Sequence, residues 1–140
     1  MQVEIREVGQ GDAALFERVA DAVFDEPVDI ARLTAYLATP GHHMMVALHD
    51  GWIVGQTAAV VHRHPDKVTE LYIDEVGVSP AFQRHGIARA MLDRMFALGK
   101  SLGCGEAWVG TEPDNWPARA LYAERGGPPV ESFVMYVVAL

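Results

Sequence analysis

Apolar and polar residues alternate from Val3 to Val8, the period of a strand, and Gly9, Gly11 and Asp12 interrupt it. From Ala13 the spacing changes. Phe16, Val19, Ala20, Val23 and Phe24 predict a helix with Asp12 as its N-cap, stopped by Asp25-Glu26-Pro27. A second helix is expected from Asp29 to Leu37, with Ile30, Leu33 and Leu37 on one face and Thr39-Pro40-Gly41 as its stop. Met44 to Leu48 reads as an apolar strand. Asp50-Gly51 is a hairpin turn, Ile53 to Val61 the return strand, and His62 to Lys67 a polar loop around Pro65. Val68 to Val78 is a long strand. A helix beginning at Ile87 turns Ala90, Met91, Met95 and Leu98 inward and ends at Gly103 and Gly105. Ala107 to Thr111 is a further strand. Pro117 suits the first position of a short helix running to Glu124, Gly126-Gly127-Pro128-Pro129 breaks it, and Glu131 to Val138 reads as a closing strand.

The resulting order, β-α-α-β-β-β-α-β-α-β, starts with antiparallel hairpins and ends with β-α-β units. That predicts an α/β chain: a mixed, twisted sheet with helices on both faces. At 140 residues, half of them hydrophobic, the chain is long enough for one domain, 1–140, with its own core. No apolar run approaches the roughly 18 residues of a membrane span, and the charged start has no signal-peptide pattern. Cys104 is the single cysteine, which excludes an internal disulfide and fits a reducing, cytoplasmic setting. The net charge of −8 argues against a nucleic-acid partner and suits either plain solubility or attraction of a cationic substrate.

Candidate chemistry concentrates where the long strand meets the helix. The strand stops at Pro80, a basic loop carrying one glycine follows, and the helix opens directly at Ile87. Converging amides and a helix N-terminus make such a junction a phosphate site. No Gly-Lys-Ser/Thr closes the loop, so it is not a Walker A loop, and it lacks the three-glycine dinucleotide spacing. Gln83-x-x-Gly86-x-Ala88 resembles the pyrophosphate loop of the GCN5-related N-acetyltransferases. Val76-x-Val78 before it and Asn115…Ala118…Leu121-Tyr122…Gly126 after it are similar to two further motifs of that family. The chain departs from the family at Gly127, where a phenylalanine is usual.

The resemblance implies a fold of six to seven mostly antiparallel strands with about four helices, and a splay between central strands that admits acetyl-coenzyme A. It further implies that the amides of Arg84, His85, Gly86, Ile87 and Ala88 ring the pyrophosphate, with Gln83 in the same loop. Gly86 permits close approach, and Arg84 and Arg89 add charge at the rim. Both arginines also read as solvated helix-end charges. Val76 and Val78 would offer backbone groups to the pantetheine arm, besides serving as core residues. Asn115 would touch that arm or cap the short helix. Tyr122 would protonate the departing thiolate, a task suited to a phenol that is neutral at pH 7; it also reads as a core aromatic.

An attacking amine must lose a proton, and Glu70, Asp74 and Glu75 are carboxylates in an otherwise apolar strand. Strand alternation puts Asp74 with Val76 and Glu75 with Gly77, on opposite faces. We take Glu75 as the base. The run Glu70-Leu71-Tyr72-Ile73-Asp74-Glu75 and Pro117-Ala118-x-Ala120-Leu121-Tyr122 are similar to segments of aminoglycoside 3-N-acetyltransferases, which implies a small cationic amine acceptor. Asp25, Glu26 and Asp29 would join Asp74 and Glu75 around its ammonium groups, or serve as caps and turns. Family members often dimerise, and Phe133 to Val138 is a candidate for pairing between two copies. No metal site is expected: His62-x-His64 could share a strand face, but no cysteine lies near and only Asp66 follows. His42-His43 reads as a loop pair, either simply exposed or a hydrogen-bonding wall of the acceptor site, and Cys104 as structural.

Overall fold

The computed structural model describes residues 1–140 and resolves into two compact units, 1–110 and 111–140. The first holds one sheet, in the order β1 (Glu4–Glu7), β2 (His42–His49), β3 (Trp52–His62), β4 (Glu70–Val78) and β5 (Glu106–Val109). The first four strands pair antiparallel and β5 joins β4 in parallel. α1 is Ile30–Ala38 and α2 is Ile87–Ser101 in this unit, and α3 is Trp116–Gly126 in the second.

Both sheet faces are covered. Leu71 and Ile73 of β4 and Met45 and Ala47 of β2 are fully buried on the α2 side, where α2 contributes Ile87, Met91, Leu92 and Met95. Burying side chains of this size stabilises by about 1.5–3 kcal/mol each. A Cβ on Gly99 would come within 2.7 Å of Leu71 Cδ2, so this glycine lets the helix lie close on the sheet. On the opposite face Phe16, Val23 and Leu33 pack with Met44, Val46, Ile53 and Ala58. The hairpin forms where expected, with Asp50 and Gly51 both at positive φ, as a tight two-residue turn requires.

Four expectations change. The segment from Ala13 to Phe24 is not one helix: a 3-10 helix spans Gln10–Glu17, and the chain then leaves it. Arg18 O accepts from Ile53 N and Ala20 N donates to Ile53 O, each at 2.8 Å, so pairing with β3 captures the backbone that a longer helix would have used. Asp12 lies inside that element, accepting from Gly9 N at 2.8 Å and from Arg6 at 3.0 Å. His42 and His43, expected in a loop, open β2, and His62 closes β3. The sheet has five strands, not six or seven, because Glu131 to Val138 joins no ladder. Its apolar side chains from Phe133 to Val138 stand 66–88% exposed. Hydrophobic alternation makes such a segment fit for pairing without specifying a partner edge.

Candidate acceptor face and coenzyme loop

The parallel pairing of β5 to β4 covers only Glu70–Ile73 against Glu106–Val109. Beyond Ile73, β4 continues to Val78 paired to β3 alone because β5 ends at Val109; this open edge lies where a splay between the two strands was expected. Val76 and Val78 lie on this stretch, opposite Thr57 and Gly55.

The loop that follows is built by two left-handed residues. Arg84 has φ 66° and Gly86 φ 75°. Pro80–Phe82 forms a single 3-10 turn, and Gln83 Nε2 donates to Val78 O at 3.1 Å, tying the loop back to the strand end. Gly86 is the N-cap of α2 and has no side chain to cap it, so no N-cap side chain bonds the first amides of α2. Gln83, Arg84, His85 and Arg89 are exposed, Ile87 is buried in the core, and Ala88 is half-buried.

Glu75 faces the α1 side of the sheet. Its backbone carbonyl accepts from Thr57 Oγ1 at 2.9 Å, and its Oε1 accepts from Gln56 Nε2 at 3.3 Å. Gln56 is 1% exposed, also donates to Val23 O at 3.3 Å, and leaves its own Oε1 without a protein partner. Burial pushes the Glu75 carboxyl above its ordinary value, Asp74 and Asp25 push it further, and the Gln56 bond opposes them.

Asp74 departs from simple alternation. Ala59 pairs with Ile73 but Ala58 with Glu75, so Asp74 is the extra residue of a β-bulge. The bulge turns it to the same side as Glu75 rather than the opposite one: both carboxylates act on the Tyr36 phenol of α1. Partial desolvation raises the Asp74 carboxyl, while His42 pulls it down. Tyr36 hydrogen-bonds His43 O at 3.3 Å and stands edge-on to His42, with ring centroids 5.3 Å apart. Burial, then Asp74 and Glu75, hold the phenol neutral by raising it far above its usual range.

The structure thus gathers Asp74, Glu75, Asp25, Gln56, Tyr36 and His42 on one face. Of the expected acidic trio, Asp25 acts on Glu75. Asp29 is occupied as the N-cap of α1, accepting from Arg32 N at 2.9 Å, and Glu26 is solvent-exposed. Gln56 and Tyr36 went unrecognised in the sequence because each reads there as an ordinary strand or helix position. A polar residue inside the apolar run Ile53 to Val61 was the available signal for Gln56.

In the second unit Asn115 caps α3, its Oδ1 accepting from Ala118 N at 3.3 Å while its Nδ2 donates to Thr111 Oγ1 at 3.1 Å. The capping alternative for Asn115 is therefore realised. Tyr122 is half-buried and burial raises its phenol. Trp116 is 65% exposed, with the Arg119 guanidinium 4.5 Å over its ring.

A strand whose far half is unpaired on one side, a glycine-opened helix N-terminus at the strand's end and a half-buried carboxylate beside it are the features expected of an acyl-coenzyme A-dependent acetyltransferase domain. The model of the acetyltransferase (GNAT) family matches residues 13–127, and the chain belongs to that family. An uncharacterized N-acetyltransferase of Mycobacterium tuberculosis is 31% identical over 110 residues, covering 79% of this chain and 67% of that protein. The N-alpha-acetyltransferase RimI of the same species is 30% identical over 104 residues, 74% of this chain and 63% of its own length. Among solved structures, an aminoglycoside acetyltransferase from an uncultured soil metagenomic sample superposes with a TM-score of 0.79 at 24% identity, covering 100% of this chain and 99% of that one. The chain is an acetyl-coenzyme A-dependent N-acetyltransferase, with acetyl-coenzyme A as co-substrate.

Proposed function

We propose that the protein acetylates a primary amine of a compact, cationic small molecule of the aminoglycoside type, by direct transfer from acetyl-coenzyme A. The observation that carries this reading is the acidic face: Asp74 and Asp25 both lie within electrostatic reach of Glu75, and Asp74 and Glu75 lie within reach of Tyr36. Closely set carboxylates attract ammonium groups, and one of them with a raised pKa suits a general base.

In the mechanism, a neutral amine attacks the thioester carbonyl. Glu75 takes the proton the amine sheds, directly or through water, and Gln56 orients the carboxylate. The C–S bond breaks as the tetrahedral intermediate collapses, and Tyr122 supplies a proton to the leaving sulfur. The amides of Arg84 to Ala88, with Gln83 and the charges of Arg84 and Arg89, hold the pyrophosphate, and Val76 and Val78 align the pantetheine arm. Most of the acceleration comes from positioning. The remaining assignments are a cytoplasmic setting and a homodimer formed through Phe133 to Val138; a monomeric mass in solution would refute the dimer.

The test is release of free coenzyme A thiol against a panel of aminoglycosides, polyamines, amino acids and lysine or N-terminal peptides. Turnover on aminoglycosides with one ring amine acetylated supports the proposal. The likeness to an N-alpha-acetyltransferase favours a second reading, a protein acetyltransferase, and turnover on peptides alone would replace the first with it. Binding of acetyl-coenzyme A without turnover on any amine would point to an acyl-coenzyme A sensor.

A further inference from the structure

At the other end of β4 from the coenzyme loop, a second group of chemically capable side chains takes no part in acetyl transfer. His62 closes β3 and pairs in register with Glu70, which opens β4; Glu70 in turn pairs with Glu106, which opens β5. Residues directly opposite on neighbouring strands share a face, with Cβ atoms roughly 5 Å apart. One imidazole and two carboxylates therefore form a row across three strands. His64, in the connection between β3 and β4, folds back over that row. Its ring centroid lies 4.2 Å from that of His62, and its Nε2 is in contact with Glu70 Oε1.

We propose that His62, His64 and Glu70 form a binding site for a first-row transition-metal dication of the Zn²⁺ type. One ligand atom from each of the three lies within 4.8 Å of the other two. Zinc held by imidazole nitrogen and carboxylate oxygen at about 2.1 Å in tetrahedral geometry separates its ligands by roughly 3.4 Å. Side-chain rotation alone therefore closes the set. Two imidazoles with one carboxylate suit zinc and its neighbours, and do not suit calcium or magnesium, which take oxygen ligands.

A plain ion pair accounts for His64 and Glu70 and for nothing else here. It gives no reason for a second imidazole against the first. Nor does it explain a second carboxyl, Glu106, set directly opposite Glu70 on the adjacent strand, where like charges destabilise. A dication reverses the sign of that interaction and leaves Glu106 or a water as the fourth ligand. The group lies five residues from Glu75 along β4, about 17 Å at strand rise. Its role is thus to clip the β3–β4 connection to the sheet end, and it stands independently of the acceptor reading.

The experiment uses the tag-free full chain, stripped with a chelator and titrated with Zn²⁺ by calorimetry. Co²⁺ serves as a second probe whose visible absorption reports tetrahedral coordination. The expected result is one zinc per chain, a tetrahedral cobalt spectrum, and a melting temperature raised by zinc and restored by chelator. His62→Ala and His64→Ala should each weaken zinc at least about 100-fold, the upper end of what outer-shell partners alone contribute. His62 is exposed, so its replacement leaves the core intact, and circular dichroism of each variant verifies folding. The absence of saturable zinc binding by the wild-type chain at micromolar concentration would overturn the proposal. So would undiminished affinity in the doubly substituted His62→Ala, His64→Ala chain.

Discussion

Gly77 sits in the stretch of β4 that pairs with β3 alone, opposite Gln56. A methyl group there would lie 2.4 Å from Val23 O and 3.3 Å from Val23 C. Real Cβ atoms do not come within 3.0 Å of such an atom, so Gly77→Ala forces the two backbones apart by at least 0.6 Å. Neither side gives easily. Val23 is 2% exposed within the core cluster, and its carbonyl accepts from Gln56 Nε2, the same nitrogen that holds Glu75 Oε1. Overpacking of this kind costs about 1–3 kcal/mol. For a chain of this length that lowers the melting temperature by roughly 3–10 °C. Because Val23 and Glu75 share the Gln56 amide, turnover should fall along with stability. The assay is calorimetric melting with parallel thiol-release kinetics. Gly126→Ala is the control, since no atom lies within 4 Å of its Cβ position and its backbone is helical. Equal melting of Gly77→Ala and wild type would refute the close crossing of Val23 under β4, and with it this account of how Glu75 is held.

Three further outcomes are expected. Glu75→Gln should lower turnover by about 10²–10⁴, the range for loss of a general base. The folded-state pKa of Glu75 is raised, so its stabilising contribution is present below the unfolded value of 4.5 and is lost as pH rises through the folded value. At neutral pH Glu75→Gln should therefore melt higher than wild type while losing activity, and a lower melting temperature would contradict the burial and repulsion assigned to this carboxylate. Tyr122→Phe should reduce turnover by about 10² with the affinity for acetyl-coenzyme A nearly unchanged, and equal turnover would remove Tyr122 from the mechanism. Gly86→Glu puts bulk and negative charge at φ 75° where the pyrophosphate is expected, so calorimetry should find no coenzyme binding; retained binding would mean the loop is misassigned.

Local signals sufficed where a single stretch of chain carries the information. Asp50-Gly51 specifies its hairpin because positive φ is needed at both positions. Asp29 caps α1 because its side chain reaches an amide three residues on. Gln83 to Ala88 marks strand, loop and helix start through short-range chemistry that no distant contact has to complete. These were enough to establish the fold class from residues alone and to mark Gln83 to Ala88 as the candidate coenzyme loop. The tertiary structure decided what depends on pairing. The first long helix was truncated because Arg18 and Ala20 found hydrogen bonds on β3. The bulge at Asp74 turned two carboxylates to one side, where alternation had put them on opposite faces. Gln56 and Tyr36 joined the site across strands and helix, and Glu70 met His62 and His64 only through cross-strand register. The apolar run from Phe133 to Val138 carries strand periodicity without a ladder. Periodicity records which faces a segment can bury; hydrogen-bonded register, set by contacts distant in the chain, decides which partner it meets.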